Sequence, residues 1–149
     1  MPTYTASCHC GAIRYEATQE PVDAKICHCT TCQTIHGAPM QWAVIFHKDA
    51  IRFVAGEESL VYYNSDSKQK EHTLPCKVSC PDCGTLIADE GRRMWLVFPS
   101  LFQFDDDEVP ESFKPSCHIF YGQRIVDIDD GLPKWSGHKD KSDRLGWPS

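Results

Sequence analysis

The sequence predicts one mainly β domain of antiparallel sheets, pinned by cysteine knuckles that bind zinc. Three observations lead there: short apolar runs recur along the chain, turn signals separate them at meander spacing, and seven of the nine cysteines gather in short motifs. A chain of 149 residues is one domain's worth. It can bury about two thirds of its unfolded surface without cross-links, so the cysteines need a reason other than stapling a small core.

Taken in order, Ile13, Tyr15 and Ala17 alternate with Arg14, Glu16 and Thr18, the period-two pattern of a half-buried strand. Further strands are predicted at Trp42 to Phe46, Ile51 to Val54, Leu60 to Tyr63, Thr85 to Ala88, Met94 to Phe98, His118 to Tyr121 and Arg124 to Ile128, all rich in β-branched or aromatic residues. The intervening His47-Lys-Asp, Ala55-Gly-Glu, Asn64-Ser-Asp and Asp130-Gly are turn signals that suit antiparallel meanders rather than helical crossovers. Only Thr30 to His36, stopped by Gly37 with Pro39 beyond, reads as a short helix. The acidic stretch from Asp105 to Glu108 reads as a solvated loop, and the polar stretch from Gly137 as a fraying tail. The expected organisation is therefore one zinc-binding domain over residues 1–136 and a polar C-terminal tail over 137–149.

Charge excludes some partners. With 21 acidic against 15 basic residues the formal net charge is −6, which offers no long-range attraction to phosphate backbones or anionic lipid. Neither nucleic acid nor membrane is expected as a partner. The N-terminus has no basic or apolar leader region, and the longest apolar run, Met40 to Phe46 interrupted by Gln41, is too short to span a bilayer. A cytoplasmic location is expected, where nine thiols stay reduced; nine is also odd, so they cannot all pair within the chain.

Clustered free thiols point to metal. Cys80-Pro-Asp-Cys83, followed by Gly84, is a zinc knuckle whose turn aims backbone N–H groups at the sulfurs. A structural tetrahedral site takes four ligands, and Cys8 and Cys10 are the natural second pair. That leaves Cys27, Cys29 and Cys32, a compact clip for a second ion with one position unfilled, the signature of catalytic zinc. Zn²⁺ with three thiolates is net −1, a soft centre suited to a sulfur ligand, so thiol chemistry is expected rather than hydrolysis. The cofactor expectation is two zinc ions per chain. The competing reading is a non-catalytic, zinc-stabilised binding module, with the second ion closed by Cys76, Cys117 or a histidine. Cys76 and Cys117 otherwise read as small buried hydrophobes. His9 and His28, crowded between ligands, are poor co-ligands, and the remaining histidines read as surface or satisfied groups.

The order Ser7-Cys-His-Cys-Gly-Ala-Ile-Arg-Tyr, Ile26-Cys-His-Cys-Thr-Thr-Cys, His36-Gly-Ala-Pro, Cys80-Pro-Asp-Cys-Gly-Thr and Asp130-Gly-Leu-Pro-Lys-Trp resembles the glutathione-dependent formaldehyde-activating enzyme family. The resemblance spans nearly the whole chain. It implies an Mss4-like β-tent, a structural zinc on Cys8, Cys10, Cys80 and Cys83, and a catalytic zinc on Cys27, Cys29 and Cys32. It also implies a carbon–sulfur lyase reaction run in reverse, joining glutathione to formaldehyde as S-(hydroxymethyl)glutathione. Two positions depart from the family pattern: Gln33 stands where relatives often carry a basic residue, and His36 where they carry a small one. The expectation is thus a zinc-dependent carbon–sulfur lyase for a small thiol adduct, with a substrate bulkier than the formaldehyde–glutathione adduct. Cys29, Gln33, Thr34 or His36 would relay the proton. Trp42, Phe46, Trp95 and Phe98 suit either a pocket lining or the core.

Overall fold

The computed structural model describes residues 3–105 and 108–145. Strands β1 (Tyr4–Ser7), β2 (Arg14–Ala17), β3 (Asp23–Cys27), β4 (Gln41–His47), β5 (Ile51–Ala55), β6 (Val61–Tyr63), β7 (Cys76–Ser79), β8 (Leu86–Glu90), β9 (Met94–Val97), β10 (Phe102–Gln103) and β11 (Cys117–Ile119) make the protein mainly β, with one α-helix, α1 (Thr30–His36). They form a four-stranded sheet in the order β10-β1-β2-β5 and a seven-stranded sheet in the order β11-β3-β4-β9-β8-β7-β6. Pairing is antiparallel throughout except for β11 beside β3, which is parallel.

Alternation decides which side chains enter the core. In β2 Tyr15 and Ala17 are buried while Arg14 is exposed, and β4 and β9 bury Val44, Phe46, Trp95 and Val97. Phe113, fully buried in a short helical turn, meets the rings of Tyr4, Phe102, Phe104 and Phe46 at centroid distances of 4.8, 5.4, 5.1 and 5.7 Å, all near edge-to-face. Phe46 and Trp95 are therefore core residues. At the end of β5, Gly56 has φ +86°, and a Cβ there would lie 2.5 Å from the Ala12 carbonyl oxygen. Only glycine allows this approach of β5 to the Cys8–Cys10 turn.

Besides the two-residue β10, three strands escape the period-two reading. β1, β3 and β7 read Tyr-Thr-Ala-Ser, Asp-Ala-Lys-Ile-Cys and Cys-Lys-Val-Ser, too mixed to signal strands by themselves. Each is held by a neighbour on both sides, so ladder hydrogen bonds outweigh weak propensity. The opposite departure is Arg124 to Ile128, which forms no strand. The β11 edge it would need is already taken, since His118 N–H donates to the Pro133 carbonyl (2.9 Å) and Trp135 N–H to that of His118 (2.9 Å). Ile125 and Val126 are left exposed.

Within the described residues the polar segment after Gly137 is bonded back to the domain. Ser136 N–H donates to Asp143 O (2.8 Å), Leu145 N–H to Lys134 O (2.8 Å), and Lys139 pairs with Asp23 at 3.2 Å. Residues 146–149 of that tail, and Asp106 and Asp107 of the acidic stretch, lie outside the described residues. Helix α1 ends as read: Gly37 adopts φ +61°, and its N–H caps the carbonyl of Thr34 (3.4 Å).

The aromatic cluster predicts the cost of a core deletion. Phe113→Ala should lose about 3–5 kcal/mol in denaturant unfolding, whereas Ile125→Ala at the exposed turn should stay within about 0.5 kcal/mol. Similar losses for both would contradict this placement of the core.

Candidate metal centres

Two sets of thiols converge. The Sγ atoms of Cys8, Cys10, Cys80 and Cys83 all lie within 4.8 Å of one another. Cys8 and Cys10 are 3.6 Å apart and Cys10 and Cys80 3.8 Å. Sulfurs at the corners of a tetrahedron with metal–sulfur bonds of about 2.3 Å are about 3.8 Å apart, so this spacing fits zinc. The local turns explain the aim of the sulfurs. Ile13 N–H points at Cys8 Sγ (3.3 Å), and Gly84, at φ +77°, donates its N–H to Cys80 O (3.0 Å). Hydrogen bonds from the side chain and backbone of Thr85 push the Cys83 thiol down to about 5. All nine cysteines are free thiols.

In the second set Cys27 ends β3, Cys29 is the N-cap of α1, and Cys32 lies in its first turn; Cys29 Sγ accepts from Cys32 N–H at 3.3 Å. The three sulfurs lie within 4.8 Å of one another, and among the described residues no fourth His, Cys, Asp or Glu joins them. Their protons are unequally held. Hydrogen bonds from Cys27 and Cys32 bring Cys29 down to about 2. Cys27 is pushed far up by its bonds to Cys29 and Cys32 and by burial. For Cys32 the bond to Cys27 acts downward, but Cys29 and burial outweigh it and raise the thiol to about 11. One charge is thus shared by three sulfurs, and the other two protons leave when a metal enters.

These thiols line a hollow of about 550 Å³, bounded also by Lys25, Gln41, Lys77 and Asp89 and by the apolar side chains of Ile45 and Leu96. Lys77 Nζ lies 3.7 Å from Cys32 Sγ and 2.9 Å from Asp89 Oδ1, while Gln41 Nε2 donates to Asp89 Oδ2 at 2.7 Å. Burial works against the Lys77 charge, but Asp89 and Cys32 outweigh it and raise its pKa. Lys77 faces Asp89 across the β7–β8 ladder. No signal marked it, because no strand was predicted at β7.

Of the other expected proton-relay groups, Gln33 and Thr34 bind backbone carbonyls. Gln33 Nε2 donates to the carbonyls of His28 (2.6 Å) and Gln123 (3.0 Å), and Thr34 Oγ1 donates back to Thr30 O (2.9 Å). His36 packs edge-on against Phe98 at 4.9 Å and lines a separate hollow of about 410 Å³ together with Trp42. Cys76 and Cys117 are buried, as expected of small hydrophobes. Cys76 also lies with His72 and Glu90, whose carboxylate is paired to His72 (2.6 Å) and Lys48 (2.7 Å).

The model of one family, described as glutathione-dependent formaldehyde-activating enzyme, matches residues 3–123. The motif from Asp130 to Trp135 lies beyond that span. A solved structure, described as the crystal structure of a Rhodobacter sphaeroides protein, is similar with a TM-score of 0.53 at 22% identity, covering 71% of this chain and 97% of its own. At that identity the likeness concerns the fold alone. No curated protein matches the chain.

The donor sets predict two zinc ions per chain by elemental analysis of protein purified without added metal; one ion or none would contradict them. Cys80→Ser should lower the melting temperature markedly, whereas Cys32→Ser should leave a folded chain that has lost the second ion. Equal destabilisation by both would mean that both ions are structural. Because Cys27 and Cys32 hold their protons above the neutral range, zinc uptake by the three-thiol set should release protons, and affinity should rise with pH through neutrality. Calorimetry in buffers of different ionisation enthalpy measures this; uptake without proton release would contradict the shared-charge description.

Proposed function

As the chain belongs to the glutathione-dependent formaldehyde-activating enzyme family, we propose that it is a zinc-dependent carbon–sulfur lyase acting on a small thiol adduct. The observation that carries this reading is the convergence of three thiols, rather than four, on the wall of an open hollow. A binding module closed by a fourth protein ligand finds no support in that arrangement. Zinc held by Cys27, Cys29 and Cys32 would supply a soft, net −1 Lewis-acidic centre for a sulfur or carbonyl oxygen ligand.

In the synthetic direction a carbon–sulfur bond forms between the thiolate sulfur and the aldehyde carbon, and the carbonyl oxygen takes up a proton. Cleavage is the reverse. Lys77 is the group in the hollow equipped to donate a hydrogen bond or proton to that oxygen. Asp89 and Gln41 fix its head, so little reorganisation accompanies the charge that develops on oxygen. Gln33 supplies no cation for the two carboxylates of glutathione. Lys25, which also lines the hollow, can meet a carboxylate of a glutathione-like thiol, so the reading includes that thiol.

Lys77→Met should slow S-(hydroxymethyl)glutathione turnover, followed by exchange spectroscopy, by about 10²-fold or more, with both zinc ions and the melting temperature retained. Gln33→Ala should cost less than about tenfold, because that side chain reaches the centre only through the backbone carbonyl of His28 and not from within the hollow. A Lys77→Met enzyme as fast as the native one would remove Lys77 from the reaction. Absence of acceleration by the native chain, with any aldehyde and thiol, would remove the lyase reading.

A further inference from the structure

His28 and His118 are both completely buried, and neither has a part in the chemistry described above. His28 lies between two of the three thiols and His118 at the middle of β11. His28 Nε2 lies 2.8 Å from His118 Nδ1, and His118 Nε2 lies 2.7 Å from Asp130 Oδ2. The other carboxylate oxygen of Asp130 accepts from Lys134 Nζ (3.1 Å) and Leu132 N–H (3.1 Å). Lys134 Nζ also donates to Leu132 O (3.0 Å) and is itself buried. The Asp130-Gly-Leu-Pro-Lys-Trp motif is thus folded around one carboxylate that reaches inward.

The chain of contacts has a direction. A carboxylate only accepts, so His118 Nε2 carries a proton and donates to Asp130; in the neutral ring its Nδ1 then accepts from His28 Nε2–H. That leaves His28 Nδ1 as a buried acceptor with no protein donor. The ring is further held by Tyr121, edge-on at 4.9 Å, and the His28 backbone by its N–H to Ile119 O (3.0 Å) and its carbonyl to Gln33 Nε2 (2.6 Å). An apolar filling of this space would serve stability as well or better, since buried polar groups are costly to desolvate. What the polar relay adds is a single orientation.

We propose that Asp130, acting through His118 and His28, anchors the Cys27–Cys29 turn in the geometry that brings its thiols together, which makes these three the positioning residues of the three-thiol centre. The inference rests on the reading of that centre as a metal site. It does not require the lyase activity.

The test compares native chain, Asp130→Ala and Asp130→Asn, the last retaining an oxygen acceptor for His118. Two readouts are taken on the zinc-loaded proteins: the rate at which a chelator removes each ion, and backbone amide exchange at residues 27–32 and 118–119. The expected result for Asp130→Ala is loss of one ion about 10- to 100-fold more readily and faster exchange confined to those segments. Asp130→Asn should recover most of the native behaviour, and the ion of Cys8, Cys10, Cys80 and Cys83 should be held equally in all three. Should Asp130→Ala fail to fold, His118→Gln is read in its place by the same two measurements. Unchanged release and exchange, or loosening of both ions together with acceleration across the whole core, would overturn the inference. If the native chain holds only the four-thiol ion, the metal reading of the second centre fails, and exchange at residues 27–32 alone decides the anchor: local acceleration sustains it and unchanged exchange ends it.

Discussion

Four thiols meeting where two sheets approach are the constraint on which the rest of the structure depends. Cys8 and Cys10 come from the turn between β1 and β2 of the small sheet, Cys80 and Cys83 from the turn between β7 and β8 of the large one. Seventy residues separate Cys10 from Cys80, yet their sulfurs are 3.8 Å apart. Closing a loop of that length is entropically unfavourable, and a metal held by four thiolates would offset it in the folded state alone. The same hairpin that ends in Cys80 carries Lys77 and Asp89 into the hollow. The structural clasp therefore also places a wall of the candidate reaction site.

The two thiol sets differ in what surrounds them rather than in donor chemistry. The first is closed, with backbone N–H groups and Thr85 turned toward its sulfurs, and its four donors leave no vacant tetrahedral position. The second is held from behind, by the helix cap of Cys29 and the buried histidines, and is open in front. A metal held by its three thiols would keep one ligand position for an outside atom, with Lys77 Nζ 3.7 Å from Cys32 Sγ beside it.

Much of this was legible in the sequence because cysteine spacing is a local signal. C-x-x-C at Cys80 and the three thiols within residues 27–32 define their sets without knowledge of the fold, and Gly37 marks the end of α1 by its need for φ above zero. Lys77 was not legible. Its place in the hollow comes from the register that sets β7 against β8, and Cys-Lys-Val-Ser carries no strand pattern of its own. Gln33 drew attention because it adjoins Cys32, but neighbours along a helix point in different directions, and its amide is engaged behind the thiols. Arg124 to Ile128 has strand propensity but no free edge to join, and no reading of one segment shows that its partner is occupied.

The central claim is that the three-thiol centre has a position open to an external thiol while the four-thiol centre does not. Replacing zinc by cobalt and titrating glutathione measures this directly, because thiolate-to-cobalt absorption reports each new sulfur ligand. The account predicts saturable growth and shift of the bands of one ion, abolished in Cys29→Ser, with the bands of the other unchanged. Spectra of both ions that stay constant through the titration would contradict it.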